Sequence, residues 1–187
     1  NTRVDIIMIG IFMSDEKVGI YSFAALFAEG FYQLLIVLQN IMNPIMARQF
    51  SNSKLDEFYE QFKQVKQKTY KALSLIFVLS IIFYPLVVNI LTNKNEFAES
   101  YVPFSILVLG ITIASGYIPF FNIFSMSDMP RLQSIFMLSI FLSNVIFNSI
   151  FIPICGLYGA ALGTGASFLA SIYFFKYFSK KYVGLKV

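Results

Sequence analysis

The chain has 187 residues, of which 57% are hydrophobic and only 13% charged, with a formal net charge of +4. That balance is too apolar for a soluble domain of this size, which needs a polar shell. The lack of histidine excludes any site built on imidazole, and the single cysteine, Cys155, excludes internal disulfides and multi-thiolate metal centres.

No metal and no cofactor is therefore expected, and no Walker loop or dinucleotide fingerprint occurs in the sequence. Cys155 reads as a small buried apolar residue. The excess of basic residues could suggest nucleic acid in a soluble protein. Here they flank apolar stretches, so lipid headgroups and membrane topology account for them and no nucleic-acid partner is expected.

In chain order, the first apolar run, 4–13, is too short to span a bilayer. Asp5 interrupts it and no small-residue cleavage site follows, so it does not read as a secretory signal. Residues 1–13 are expected to be the second half of a helix that begins upstream. Five further stretches, 18–47, 72–92, 101–127, 132–152 and 154–175, are each about 20 residues or longer. At ~1.5 Å per residue each can cross a hydrocarbon layer of ~30 Å. The predicted fold class is an all-α membrane protein. Residues 48–71 form the only sizeable loop. Within it Leu55, Phe58, Phe62, Val65 and Thr69 recur at steps of three and four opposite a charged face. The spacing predicts an amphipathic helix, lying at the interface or extending the next span.

Strict alternation groups the breaks at 14–17, 93–100 and 153–158 on one side, with Lys17 and Lys94. The other side carries Arg48, Lys54, Lys63, Lys66, Lys68, Lys71, Arg131, Lys176, Lys180, Lys181 and Lys186. The positive-inside rule makes the basic side cytoplasmic, so the C-terminus is expected inside.

Polar groups within spans are costly and point to function. Glu29, Gln33, Asn40 and Pro44 share a face of the second span. Thr112, Ser115, Pro119 and Asn122 share one of the fourth, and Asn144 and Asn148 lie one turn apart in the fifth. Three such stripes suggest a hydrated cavity, while hydrogen bonding between helices, worth ~0.6–2 kcal/mol, accounts for the Asn and Thr positions as well. Arg3 and Glu29 each lie ~16 Å below the Ser14 surface, near the midplane. The equal depth predicts that they meet across a wet cavity or face the same bound anion and proton. Asp5 points about 200° away from Arg3 on a regular helix and needs another partner. Pro85 and Pro119 permit bends. Gly159, Gly163, Ser167 and Ser171 form a stripe suited to close helix packing rather than to substrate contact.

Two groups of residues carry a resemblance. The first is Arg3-Val4-Asp5-Ile6-Ile7-Met8-Ile9-Gly10 with Val18-Gly19-Ile20-Tyr21-Ser22 and Ala24-Ala25. The second is Asn144, Asn148, Ile152-Pro153 and Gly156-Leu157-Tyr158-Gly159-Ala160-Ala161. Together they resemble the C-terminal half of polysaccharide or O-antigen flippases, within the multidrug/oligosaccharidyl-lipid/polysaccharide exporter superfamily. The resemblance covers essentially the whole chain in order. It implies the C-terminal six-helix lobe of a two-lobe exporter, its first helix truncated, paired with an N-terminal half of the same chain around a central cavity.

It further implies a transporter rather than an enzyme, in the bacterial plasma membrane, moving a polyprenyl-diphosphate-linked oligosaccharide from the cytoplasmic to the outer leaflet by alternating access. Its partners would be that lipid-linked sugar and the membrane lipids. Arg3 matches the family's cavity arginine, suited to a diphosphate or acidic sugar through bidentate hydrogen bonds. Asp5, Glu29, Gln33, Asn122, Asn144 and Asn148 would line the cavity, with Glu29 and Asp5 as candidates for ion coupling. The nearest rival is a cation-driven multidrug exporter of the same superfamily, which favours acidic and aromatic walls. A polymerase- or ligase-type envelope enzyme is a rival of another class, but the outer loops are too short to hold its site.

Overall fold

Helix boundaries in this chain follow local chemistry, and the computed structural model describes residues 4–92 and 95–185. Among them no strand occurs; the elements are α1 (Val4–Phe12), α2 (Asp15–Ser51), α3 (Leu55–Thr92), α4 (Tyr101–Ala114), α5 (Ile123–Met126) and α6 (Pro130–Phe178). A 3-10 turn at Asn95–Ser100 leads into α4, another at Ile118–Phe120 separates α4 from α5, and a π-helical turn, Ser179–Val183, follows α6. The stretches Asp15–Ser51, Leu55–Thr92, Glu96–Ala114 and Pro130–Val183 are long and apolar enough to cross a membrane. The chain is all-α and of multi-pass membrane type.

α2 starts after Ser14, whose extended backbone breaks the helix, and Asp15 and Glu16 complement the positive end of the helix dipole. It ends at a tight turn where Ser53 takes a positive φ of 56°. α3 then runs unbroken for 38 residues, so the amphipathic stretch expected at 48–71 is shared between the end of α2 and the first half of α3. Phe58, Phe62 and Thr69 are buried on its inner face. Further along, Leu75, Ile82 and Ile90 are 63%, 63% and 67% exposed. Large apolar side chains left outside on one helix face suit acyl chains as their solvent.

The single span expected at 101–127 is not continuous. α4 stops at Ala114 and the chain passes through the Ile118–Phe120 turn before α5. Pro119 has no N–H to donate and its ring would crowd the carbonyl of Ser115, so the helix cannot continue there. At Gly116 the Tyr70 ring packs so closely that an added Cβ would come within 2.6 Å of it.

α6 is a hairpin of two antiparallel legs, 130–155 and 157–178. The chain reverses at Gly156, with φ 56° and ψ −127°. The reversal falls within the break expected at 153–158, at Gly156 rather than Pro153: proline's fixed φ suits a helix, whereas this reversal lies in a region only glycine enters freely. The legs touch backbone to backbone: a Cβ on Gly159 would overlap the Phe151 carbonyl oxygen, and one on Gly163 would lie 2.7 Å from Asn148 Oδ1. The second leg also meets α4 at Gly165, where a Cβ on Gly110 would be 3.0 Å from the Gly165 Cα.

Contacts sort the breaks into two ends. Lys17 pairs with Glu99 and the Met13 side chain lies against Gly156, so the Ser14, Asn95–Ser100 and Gly156 breaks share one end. At the other, Phe58 packs on Phe120 and Phe124 on Phe178, gathering the start of α3, the α4–α5 break and the end of α6. Phe62, Tyr117, Phe120, Phe121, Phe124, Phe136 and Phe175 fill that end as one aromatic layer. Cys155 is exposed beside the hairpin reversal, not buried as its residue type suggests.

Candidate functional site

Asp5 sits in the first turn of α1, and three donors converge on its carboxylate. The Ile6 amide donates to Oδ1 at 2.9 Å, and the Tyr21 hydroxyl of α2 to Oδ2 at 2.6 Å. The Thr164 hydroxyl, from the second leg of α6, reaches Oδ2 at 3.3 Å. The partner that Asp5 needs therefore lies within this chain. Tyr21 is fully buried, so its hydroxyl depends on that acceptor.

Thr164 joins Asp5 to the first leg of α6. Asn144 Nδ2 donates to the Ser167 hydroxyl at 3.2 Å and more weakly to Thr164 at 3.4 Å. Asn148, fully buried one turn on, donates to the Asn144 carbonyl at 3.0 Å and to Asn144 Oδ1 at 3.2 Å. Donation runs from Asn148 through Asn144 and Thr164 to the carboxylate. Asn148 Oδ1 is left without a hydrogen-bond partner, against the bare face of Gly163.

This network forms one wall of a cleft of about 530 Å³ between α1, α2, α4 and both legs of α6. Its polar lining comes from Asp5, Ser22, Glu29, Tyr32, Gln39, Asn144, Thr164, Ser167 and Ser171. The rest is apolar, from Ile36, Leu107, Ile111, Ile140 and Phe168 among others. Along α2 the lining runs from Ser22 to Gln39, about 25 Å at ~1.5 Å per residue. Gln39 donates to the Ile118 carbonyl at 3.2 Å, securing the broken segment after α4 to the cleft. Phe121 forms the floor, and the aromatic layer beneath it closes the cleft toward the basic end.

Of the residues singled out by sequence, Asp5, Glu29 and Asn144 line this cleft together, and Asn148 stands behind Asn144. Gln33 is exposed on another face of α2 and does not line it. Asn122 falls in the break after α4, outside the lining. Arg3 lies outside the described residues. On α2 the lining residues Ser22, Ala25, Glu29, Tyr32, Ile36 and Gln39 define a face rotated by roughly 60° from the expected Glu29–Gln33–Asn40–Pro44 stripe, with Glu29 common to both. Tyr21, Tyr32, Gln39 and Thr164 carry no pattern in the sequence that sets them apart: the tyrosines and the glutamine lie off the expected stripe of α2, and the threonine lies among small residues. Ser167 and Ser171, expected to serve packing alone, also border the cleft.

One turn before Phe121 in the chain, on the α3 side of the broken segment, Lys66 donates to the Tyr117 hydroxyl at 2.7 Å. The Lys66 ammonium lies 4.3 Å from the Tyr117 ring centroid, and that of Lys176 5.2 Å. Burial pushes the Tyr117 phenol up, but hydrogen bonds and charge from the two lysines outweigh it and hold its pKa below the ordinary tyrosine value.

No family model, curated protein or solved structure matches this chain.

Proposed function

We propose that the chain is the C-terminal lobe of a bacterial plasma-membrane transporter that moves a polyprenyl-diphosphate-linked oligosaccharide from the cytoplasmic to the outer leaflet by alternating access. The observation that carries this reading is the convergence of Asp5 and Glu29 on one cleft, among hydroxyl and amide groups, inside a bundle with an apolar exterior. Carboxylates within a span are costly, pair with protein groups or face a water-filled cavity, and mark substrate and ion pathways. Polar groups set in mostly apolar walls suit an amphipathic cargo, sugar hydroxyls meeting the former and the chain the latter. The closed aromatic floor fits one side of an alternating cycle, in which the layer around Phe121, Phe136 and Phe175 must part for access from the basic end. The sequence resemblance supplies the cargo class. Asp5, held by Tyr21 and Thr164, is the residue we assign to ion coupling.

The test is transfer of a labelled polyprenyl-diphosphate oligosaccharide across vesicles containing the full-length protein, beside efflux of a fluorescent organic cation. Sugar-lipid transfer that Glu29→Gln slows by about ten-fold or more, or ~1.4 kcal/mol, is expected, since a half-buried carboxylate lining the cleft loses its charge there. A second reading, a cation-coupled exporter of organic cations, draws on the cleft's two carboxylates and its rings from Tyr32, Phe121, Phe141 and Phe168. Cation efflux without sugar-lipid transfer selects it and overturns the first.

Orientation has its own test. With the basic end cytoplasmic, the Gly156 reversal faces outward. In a variant whose only cysteine is Cys155, a membrane-impermeant maleimide is expected to label intact cells. Labelling only after permeabilisation reverses the assignment.

A further inference from the structure

Three elements remote in sequence bring Lys66, Tyr117 and Lys176 to one point: the first half of α3, the break after α4 and the end of α6. Two ammonium groups held near one phenol repel each other, and no carboxylate among the described residues pairs with either. The faces of Tyr117 and Phe62 offset part of that cost through cation–π contact, with the Lys66 ammonium 5.5 Å from the Phe62 centroid. Lys66 spends one donor on the phenol and Lys176 remains exposed, so further donors are open to an anion. Position narrows which anion. Lys66 lies six residues before the apolar stretch at 72–92, about 9 Å along the helix, and Lys176 directly follows the one at 154–175. Both therefore stand at the level of lipid headgroups, where phosphate is the abundant anion.

We propose that Lys66, Tyr117 and Lys176 form a binding site for the phosphate group of a membrane-embedded ligand, on the α3 side of the bundle toward its basic end, beside the floor of the cleft. The phosphate oxygens accept from both ammonium groups and from the Tyr117 hydroxyl, completing a cluster that otherwise carries uncompensated positive charge. Tyr117 lies one turn from the cleft residue Phe121, so a phosphate held here leaves its lipid chain beside the floor that closes the cavity. The site is independent of which cargo the cleft carries. Among the groups that face Tyr117, Lys66 and Tyr70 come from α3 and Lys176 from α6, and none is acidic.

Native mass spectrometry of the full-length protein in detergent tests this, with phosphatidylglycerol, a polyprenyl diphosphate, neutral diacylglycerol and inorganic pyrophosphate as probes. Lys66→Gln with Lys176→Gln is expected to weaken binding of the phosphate-bearing probes by about ten-fold or more, as loss of two charge-assisted contacts requires. Arginine at both positions should restore it. Lys63→Gln with Lys68→Gln, on exposed positions of the same helix, should leave it unchanged. Equal affinity for phosphatidylglycerol and polyprenyl diphosphate identifies a headgroup site and preference for the diphosphate a docking point for a carrier lipid; pyrophosphate binding as strongly as either overturns the membrane-embedded ligand. Carbon-13 NMR of the tyrosine ring adds a readout that folding defects do not mimic: bound phosphate, opposing the two lysines, should raise the Tyr117 pKa. The proposal is overturned if the Lys66/Lys176 variant binds as well as the native protein. Equal loss in the Lys63/Lys68 variant, or a Tyr117 titration indifferent to phosphate, overturns it too.

Discussion

If the chain is the transporter lobe we propose, Asp5→Asn is expected to uncouple transport from an ion gradient while leaving the bundle folded. The carboxylate offers only acceptors to the Ile6 amide and to the Tyr21 and Thr164 hydroxyls. An asparagine side chain has one oxygen and two N–H donors, so at least one of these three groups loses its acceptor. If that group is the buried Tyr21 hydroxyl, the unmet donor costs about 1–3 kcal/mol. The charge is also gone, leaving Glu29 as the one carboxylate in the cleft lining. The expected result is a gradient-dependent rate lowered by about a hundred-fold, or ~2.7 kcal/mol, with thermal unfolding in detergent shifted only by the smaller structural term. Tyr21→Phe separates the two effects. It removes the donor but keeps the charge, so coupling should persist. Native rate and unchanged gradient dependence in Asp5→Asn would remove Asp5 from the mechanism.

Gly159→Ala is expected to be the most damaging of the conservative substitutions. The added methyl would overlap the Phe151 carbonyl oxygen and stand 2.5 Å from its carbon, both backbone atoms of the facing leg. No rotamer change relieves such a contact, so the hairpin has to open. Opening it draws Thr164 away from Asn144 and, through Thr164, from Asp5, which ties this packing site to the polar network. A loss of about 3 kcal/mol is expected, at the upper end for overpacking. Gly19→Ala serves as the control: nothing lies within 4 Å of the point its methyl group would occupy, and alanine in a helix interior stabilises by roughly 0.5–1 kcal/mol. Thermal unfolding of the two variants in detergent, followed by circular dichroism, should bracket the native protein. A Gly159→Ala protein as stable as the native one would mean that the legs do not pack as described.

Particular residues show how far the sequence could be read. The apolar stretches were legible because a helix in lipid leaves large apolar side chains outside, as Leu75, Ile82 and Ile90 do, and no polar shell masks their length. Glu29 and Asn144 were legible as members of one cavity because polar groups inside spans are rare enough to count. The face of α2 was harder. Glu29 belongs to two overlapping helical stripes, and the choice between Gln33 and Tyr32 as its neighbour rests on where α4 and α6 dock. The interruption of 101–127 was present in the Gly116 and Pro119 pair, yet prolines within spans bend helices as often as they end them. Cys155 misled because residue type predicts burial only on average, and this one stands at a hairpin tip.

By itself the sequence determined the solvent, the helical class, the chemistry available and the pairing of breaks into a basic and a less basic end. Those follow from composition and period, which are local properties summed along the chain. Only the tertiary structure decided that Asp5 answers to Tyr21 and Thr164, that the lining of α2 includes Tyr32 rather than Gln33, and that Lys66 meets Lys176 across Tyr117. Each of these joins residues separated by many turns. Their meeting depends on the rotation and depth at which helices pack, which glycine contacts such as Gly159 on Phe151 and Gly110 on Gly165 set to within a fraction of a turn.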